Sequence, residues 1–408
     1  MNNIHDKPIW ENKIAKVSAL LGQIATESES HNIAVGLSPV EKVRAAMAKM
    51  FDKTAIVDGN VPAFSGLREA YICMTGDLEF QGRYYPQKIL KELRSAQDFN
   101  SGSFAYALGN AMNMYISKIY KDVPYREEVL ISDKKSVSDL REIRPIQLGY
   151  FGDLPDVDPE TEDYGDIAPY ADAGENFNLS LKGVIISISR RHIMSDDIGL
   201  ISALVNRLTR AARRTHARYV WNFYINNALS PDGDVWFTSD HGNLSGSALD
   251  ISAMVTAITA LANMEEPSPS NEKLGLDLAS FDWNLVVSTS MWEKAVQLDQ
   301  TESYFTGNDL TTKVVNACHR LFGDHNERIV TCPFITDVND WGVICGRNDV
   351  PLVEMSYLNG KEEPEIIVSN DPNTSELMFL RDKIRYKLRH EYGGTLADYR
   401  GGYKAIVA

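Results

Sequence analysis

Residues 129–188 read VLISDKKSVSDLREIRPIQLGYFGDLPDVDPETEDYGDIAPYADAGENFNLSLKGVIISI. The two ends are strand-like and the middle is rich in Pro, Gly and Asp, the composition of a long hairpin with a solvated tip. In the second arm Phe177, Leu179 and Leu181 alternate with polar residues, and the alternation resumes as Val184, Ile186 and Ile188. The apolar phase therefore slips by one residue at Gly183, where a bulge would sit. An isolated two-stranded ribbon is marginal in water, so a ribbon over 131–190 is expected to need a second copy of the chain to lie on.

After the ribbon comes Asp196-Asp197, a pair suited to a helix N-terminus. Ile201, Leu204, Leu208, Ala211, Thr215, Tyr219 and Phe223 then recur at helical spacing, with no Pro or Gly beyond Gly199. This predicts one helix over 196–227, much longer than a usual globular helix and suited to span a molecule as a spine. It carries Arg207, Arg210, Arg213, Arg214 and Arg218, a concentration that either pairs with acids, in the helix or on another chain, or meets a phosphate backbone.

Upstream, residues 1–102 read as a loosely connected helical extension. Ser38-Pro39-Val40-Glu41 forms a capping box that opens an amphipathic run to Phe51, and further helical patterns fall near 65–76 and 86–97. Phe104, Leu108, Met112, Tyr115 and Ile119 predict an arm helix in 103–130, stopped by Pro124. Downstream, 230–356 mixes helices (249–264, 290–298) with short strands such as 283–287, an α+β domain that opens at the turn Ser230-Pro231-Asp232-Gly233. The segment 357–408 is again strand-like. Within it Arg381, Lys383, Arg385, Lys387 and Arg389 share one face of a period-two pattern and Ile384, Tyr386 and Leu388 the other.

Hydrophobic residues make up 44% of the 408, enough for real cores in two or three packed units. The balance of 56 acidic against 41 basic side chains, a formal charge of -15, disfavours general nucleic-acid binding and leaves only local contact with DNA. No window resembles a secretory signal or approaches a membrane span, which points to a cytoplasmic product. Cys73, Cys318, Cys332 and Cys345 are scattered, as reduced and mostly buried thiols would be.

Each motif that hints at chemistry has a plainer reading. The ribbon tip carries Asp153, Asp156, Asp158, Glu160, Glu162 and Asp163, but a calcium loop needs Gly where Thr161 stands and a bidentate Glu where Ile167 stands. A solvated acidic loop remains, or an acidic patch complementary to the 381–389 cations of an adjacent subunit. Cys318, His319, His325 and Cys332 lack zinc-ligand spacing. Ser239-Asp240-His241-Gly242 gathers hydrolytic residue types without the G-x-S-x-G elbow, which favours a polar turn. No phosphate-binding glycine motif is present, so no cofactor or metal and no enzymatic activity is expected.

Several stretches resemble the phage major capsid proteins related to the Mu major head subunit, some of which are fused behind a prohead protease. They are KSVSDLREIRPIQLGYFGDLPDV (135–157), ISISRRHIMSDDIG (186–199), WFTSDHGNL (236–244), VEMSYLNGKEEPEI (353–366) and KIRYKLRHEYGGTLADYRGGYK (383–404). The resemblance runs from about Ser103 to the C-terminus with the segments in order. No protease domain precedes the matching part, and residues 1–102 carry no matching motif.

The resemblance implies an α+β fold of the Hong Kong 97 capsid type. Its parts here would be an arm (103–130), an extended hairpin loop (131–190), a spine helix of the peripheral domain (191–229), an axial domain (230–356) and returning peripheral strands (357–408). It further implies self-assembly into pentamers and hexamers of an icosahedral head in the virion, built in the host bacterial cytoplasm around double-stranded DNA without sequence specificity. Portal, scaffold or prohead protease and decoration proteins would be partners, and a membrane would not. Some members lock the shell through a hairpin lysine; none stands between Lys135 and Lys182, so a shell without cross-links is expected. An encapsulin-like nanocompartment and a hydrolase around His241 are the alternatives.

Overall fold

A computed structural model describes residues 39–52, 61–78, 101–123, 125–148, 156, 171–173, 175–196, 198–266, 272–275, 282–306, 312–323, 327–346, 350–368 and 383–407. Most of the expected helices form within a few residues of their expected bounds. They are α1 (Pro39–Phe51), α2 (Leu67–Thr75), α3 (Ser101–Asp122), a short α4 (Arg190–Met194), α5 (Ile198–Ile225), α6 (Ile251–Ala262) and α7 (Trp292–Gln300). The helix expected at 86–97 lies outside the described residues. The strands are β1 (Ile131–Val137), β2 (Ile146–Leu148), β3 (Ala171–Ala173), β4 (Ser180–Ser189), β5 (Leu244–Ser245), β6 (Asn284–Ser288), β7 (Ser303–Thr306) and β8 (Thr312–Val315). They continue as β9 (Ile329–Cys332), β10 (Trp341–Ile344), β11 (Val353–Leu358), β12 (Glu365–Val368), β13 (Lys383–Leu396) and β14 (Gly402–Ala405).

Two units divide the chain. The first is Met1–Val123, Leu181–Arg213 and Glu363–His390. Helices of 13 and 9 residues such as α1 and α2 are too short to hold alone in water, so packing must hold them. Val43, Ala46 and Met47 of α1 and Leu67, Ala70 and Met74 of α2 join one core with Phe104, Leu108 and Met112 of α3. Burying a valine, leucine, methionine or phenylalanine side chain contributes roughly 1.5–3 kcal/mol. The part of 1–102 that is described is therefore an integral layer of this unit, which corrects the reading of a loose extension: amphipathic spacing shows that a face is buried but not what buries it.

The floor of that core is the first half of β13, with Ile384, Tyr386 and Leu388 buried and β12 antiparallel alongside from Glu365↔Arg389 to Val368↔Tyr386. Asn113 of α3 closes on β12 like a paired strand, its side-chain amide donating to the Ile366 carbonyl at 2.9 Å and accepting the Ile366 N–H at 2.5 Å. β4 lies against the other side of β13. A Cβ on Gly183 would sit 2.6 Å from the Leu388 carbonyl oxygen, so glycine there reflects close backbone approach.

The second unit is Pro124–Ser180, Arg214–Glu362 and Glu391–Ala408. β1 runs parallel to β11 from Ile131↔Val353 to Val137↔Leu358, and β11 is antiparallel to the second half of β13. A separate sheet has the order β5-β14-β10-β6-β9. One core gathers Leu249, Met254 and Leu261 with Trp283, Trp341 and Phe322, and a second gathers Trp221, Tyr224, Trp236 and Phe237 with Met355 and Tyr392. The turn expected at Ser230–Gly233 forms, Gly233 at φ 92° donating its N–H to the Ser230 carbonyl at 3.0 Å.

The outer arms of the expected ribbon have other partners. Among the described residues β1 pairs with β11 and β4 with β13, so the outer arms do not pair with each other. The hairpin pairing among the described residues is β2 with β3, Ile146↔Ala173 to Leu148↔Ala171, and a bridge between Ile143 and Phe177. Alternation fixes which face of a strand is buried and leaves its neighbour undetermined.

Candidate self-assembly surfaces

β4 exposes apolar residues. Ile186 and Ile188 are buried as the alternation requires, but Leu181 is 65% exposed, Val184 45% and Ile185 55%. Leu181 and Val184 belong to the alternating set expected to be covered, and Ile185 stands between two members of that set. Three large aliphatic side chains in five residues of one strand are uncovered within this subunit, the kind of exposed apolar stretch that marks a protein contact.

Directly across the pleat from a buried face, β13 presents Lys383, Arg385 and Lys387 to solvent, none of them in an ion pair among the described residues. Arg389 differs. Both its Nε, at 3.2 Å, and its Nη2 donate to the Glu365 carboxylate on β12. Of the four described cations on this face three are therefore free, since the β12 pairing places an acid opposite Arg389; Arg381 lies outside the described residues. On the ribbon tip Asp156 is exposed, while Asp153, Asp158, Glu160, Glu162 and Asp163 lie outside the described residues.

On α5 the five arginines separate. Arg213 is 8% exposed, donates to the Val123 carbonyl at 3.2 Å and lies 5.2 Å over the Tyr120 ring. That removes it from any outward-facing role, because its position points it toward the end of α3. Arg207, Arg210, Arg214 and Arg218 are exposed and form no ion pair among the described residues, so of the alternatives pairing within the helix does not occur; Arg218 rests 5.2 Å over Phe334.

The candidate hydrolytic residues do not assemble. His241 Nε2 lies 2.8 Å from an Asp232 carboxylate oxygen and Nδ1 3.1 Å from the Trp236 carbonyl, while its ring stacks on Tyr399 with centroids 3.7 Å apart. Both nitrogens face acceptors, leaving no lone pair directed at a nucleophile, and Ser239 donates to Asp240 instead at 3.3 Å. His241 is part of a folded polar turn.

All four cysteines are buried. Burial pushes the Cys73 thiol up to about 12 and those of Cys318 and Cys332 up to about 11, which opposes the thiolate that a metal would need. Sequence reading also missed a polar knot in the second unit. Buried His216 contacts Glu127 through Nδ1 at 3.1 Å and the Tyr357 hydroxyl through Nε2 at 2.9 Å. A glutamate in a 3-10 turn and a tyrosine on a strand carry no pattern that would join them in advance. Among the described residues no helix is long and apolar enough to cross a membrane.

The family model described as "Phage capsid protein" matches residues 178–405. Among solved structures, the capsid of a native GTA particle is 12% identical with a TM-score of 0.43, covering 70% of this chain and 92% of that one. A structure from Mycobacterium phage Patience is 10% identical with a TM-score of 0.42, covering 74% and 88%. A virus-like particle from Pyrococcus furiosus is 8% identical with a TM-score of 0.39, covering 72% and 97%. No curated protein matches the sequence.

Proposed function

The chain belongs to the phage capsid protein family, and on that premise we propose that it is the major shell subunit of a tailed-phage head, closing with copies of itself around double-stranded DNA. The observation that carries the self-assembly reading is β4, whose Leu181, Val184 and Ile185 lie open to water in the single subunit. A neighbouring copy is the surface that covers them. Many such interfaces, each modest, sum to a closed shell when they repeat head to tail around symmetry axes.

The order of parts supports a Hong Kong 97-type arrangement: arm helix α3, ribbon β2–β3, 28-residue spine α5, then the sheet-and-helix region after Ser230. In this reading the acidic ribbon of one copy sits on the Lys383, Arg385 and Lys387 stripe of the next, two complementary patches that gain attraction without a geometric lock. The head forms in the host cytoplasm and stays in the virion, with portal, scaffold or protease and decoration proteins as further partners.

Expressing the full chain and imaging it by electron microscopy tests the function. Closed shells, or tubes of capsomers, are expected. Lys383→Glu with Lys387→Glu should impair assembly, more at low salt than at high salt because exposed charges are screened. A compact monomer that persists at high protein concentration would overturn the shell reading, and normal shells from the double variant would overturn the ribbon pairing alone.

A further inference from the structure

The exposed arginines of α5 fall in a row. Arg207, Arg210, Arg214 and Arg218 stand at i, i+3, i+7 and i+11, which at 3.6 residues per turn places them within about 80° of arc and along about 16 Å of axis. α5 contains no Asp or Glu in its 28 residues, so none of the four has an i+4 acid partner, and among the described residues none forms an ion pair elsewhere. Arg210 and Arg214, and Arg214 and Arg218, are like-charge neighbours one turn apart, an arrangement that is self-repelling in an isolated helix. In a chain of net charge -15 with acids to spare, these cations have been left without them.

We propose that this row is a phosphodiester-binding strip for the enclosed double-stranded DNA. Successive guanidinium groups rise by about 4.5 to 6 Å along the axis, and a polymer that carries charge at short regular intervals relieves their repulsion along its whole length. A guanidinium fork matches two phosphate oxygens at once, which suits arginine better than lysine. The Phe334 ring under Arg218 holds one end of the row in place. The strip contacts backbone and not base edges, so it reads no sequence. This rests on the shell reading for its ligand, since DNA is the polyanion that such a shell encloses.

The test titrates unassembled full-length chain with short duplex DNA of arbitrary sequence across a range of salt. Four neutralised phosphates give a slope of log affinity on log salt of about -3.6, or on the order of a hundredfold loss between about 50 and 200 mM. Replacing Arg207, Arg210, Arg214 and Arg218 together by Gln should flatten most of that slope. Replacing Lys383, Arg385 and Lys387 by Gln, a similar loss of charge elsewhere, should keep it. Equal flattening in the two variants would reduce the effect to net charge and overturn the proposal. So would an unchanged slope in the arginine variant, including the case where that variant fails to close shells, which would make the row a subunit contact. DNA binding with the expected slope by a wild-type chain that never forms shells would sink the shell reading and leave the strip standing.

Discussion

The carboxylate of Asp196 accepts the backbone N–H of Arg68 at 3.1 Å across 128 positions of sequence. Arg68 is the second residue of α2, whose N-cap position is Gly66, a residue with no side chain to offer. A Cβ on Gly66 would collide with the Asp196 carboxylate. The acid that in sequence appears to open the spine helix therefore caps a different helix, and glycine at the cap is what admits it.

Asp196→Ala should cost about 1 kcal/mol or somewhat more, the loss of a helix cap plus the strain of alanine at φ 56°. Asp196→Asn keeps an acceptor and tolerates left-handed backbone, so it should lie close to wild type. Gly66→Ala should cost about as much as Asp196→Ala, and the double variant should fall short of the sum because both remove one interaction. Denaturant unfolding of the four proteins checks this, and strict additivity would refute the coupling.

Gly183→Ala places a methyl against the Leu388 carbonyl, a backbone atom that no rotamer change can move aside. β4 must shift from β13, at a cost of roughly 1–3 kcal/mol. Amide hydrogen exchange should show faster opening in β4 and in the first half of β13, with the sheet β5-β14-β10-β6-β9 unaffected. Uniform destabilisation across the chain would contradict this.

Arg213 and Arg214 are adjacent in sequence and opposite in consequence. Arg213→Met removes a buried donor from the Val123 carbonyl and a cation from the Tyr120 ring, and should cost about 2 kcal/mol. Arg214→Gln, on the exposed row, should change stability by less than about 0.5 kcal/mol. Comparable melting shifts for the two would mean that their environments are alike.

The buried thiols set an alkaline limit. Cys73, at about 12, and Cys318 and Cys332, at about 11, ionise later in the native chain than in the unfolded one, where thiols titrate near about 8.5. Their contribution to stability is intact below that value and is lost as pH rises through the native ones. Burial raises Tyr71, Tyr386 and Tyr392 in the same sense, whereas Lys404, lowered by burial, works the other way. With more groups in the first set, the unfolding midpoint should fall from about pH 9 upward. Thiol reagents at neutral pH should leave the native chain unlabelled until denaturant is added. A midpoint that rises with pH would reverse the argument.

Repeating pattern made much of the fold legible. Ile201 through Phe223 announced α5 and Phe104 through Ile119 announced α3, because helical period is a property of one segment. The exposed Lys383, Arg385 and Lys387 opposite buried Ile384, Tyr386 and Leu388 came from period two alone. What failed was pairing. β1 resembles one arm of a hairpin, yet its partner is β11, and nothing in residues 131–137 specifies Val353–Leu358.

Local pattern carries most of the elements, many of the faces they bury and, through the ordered motifs, the family. Those depend on local spacing and composition, which a chain carries whether or not it is folded. Only the closing of the cores places Asp196 at the end of α2 and joins Arg389 to Glu365 while three neighbouring cations stay free. Each of those outcomes turns on which distant segment lies within hydrogen-bond reach, and that is set only when the cores close.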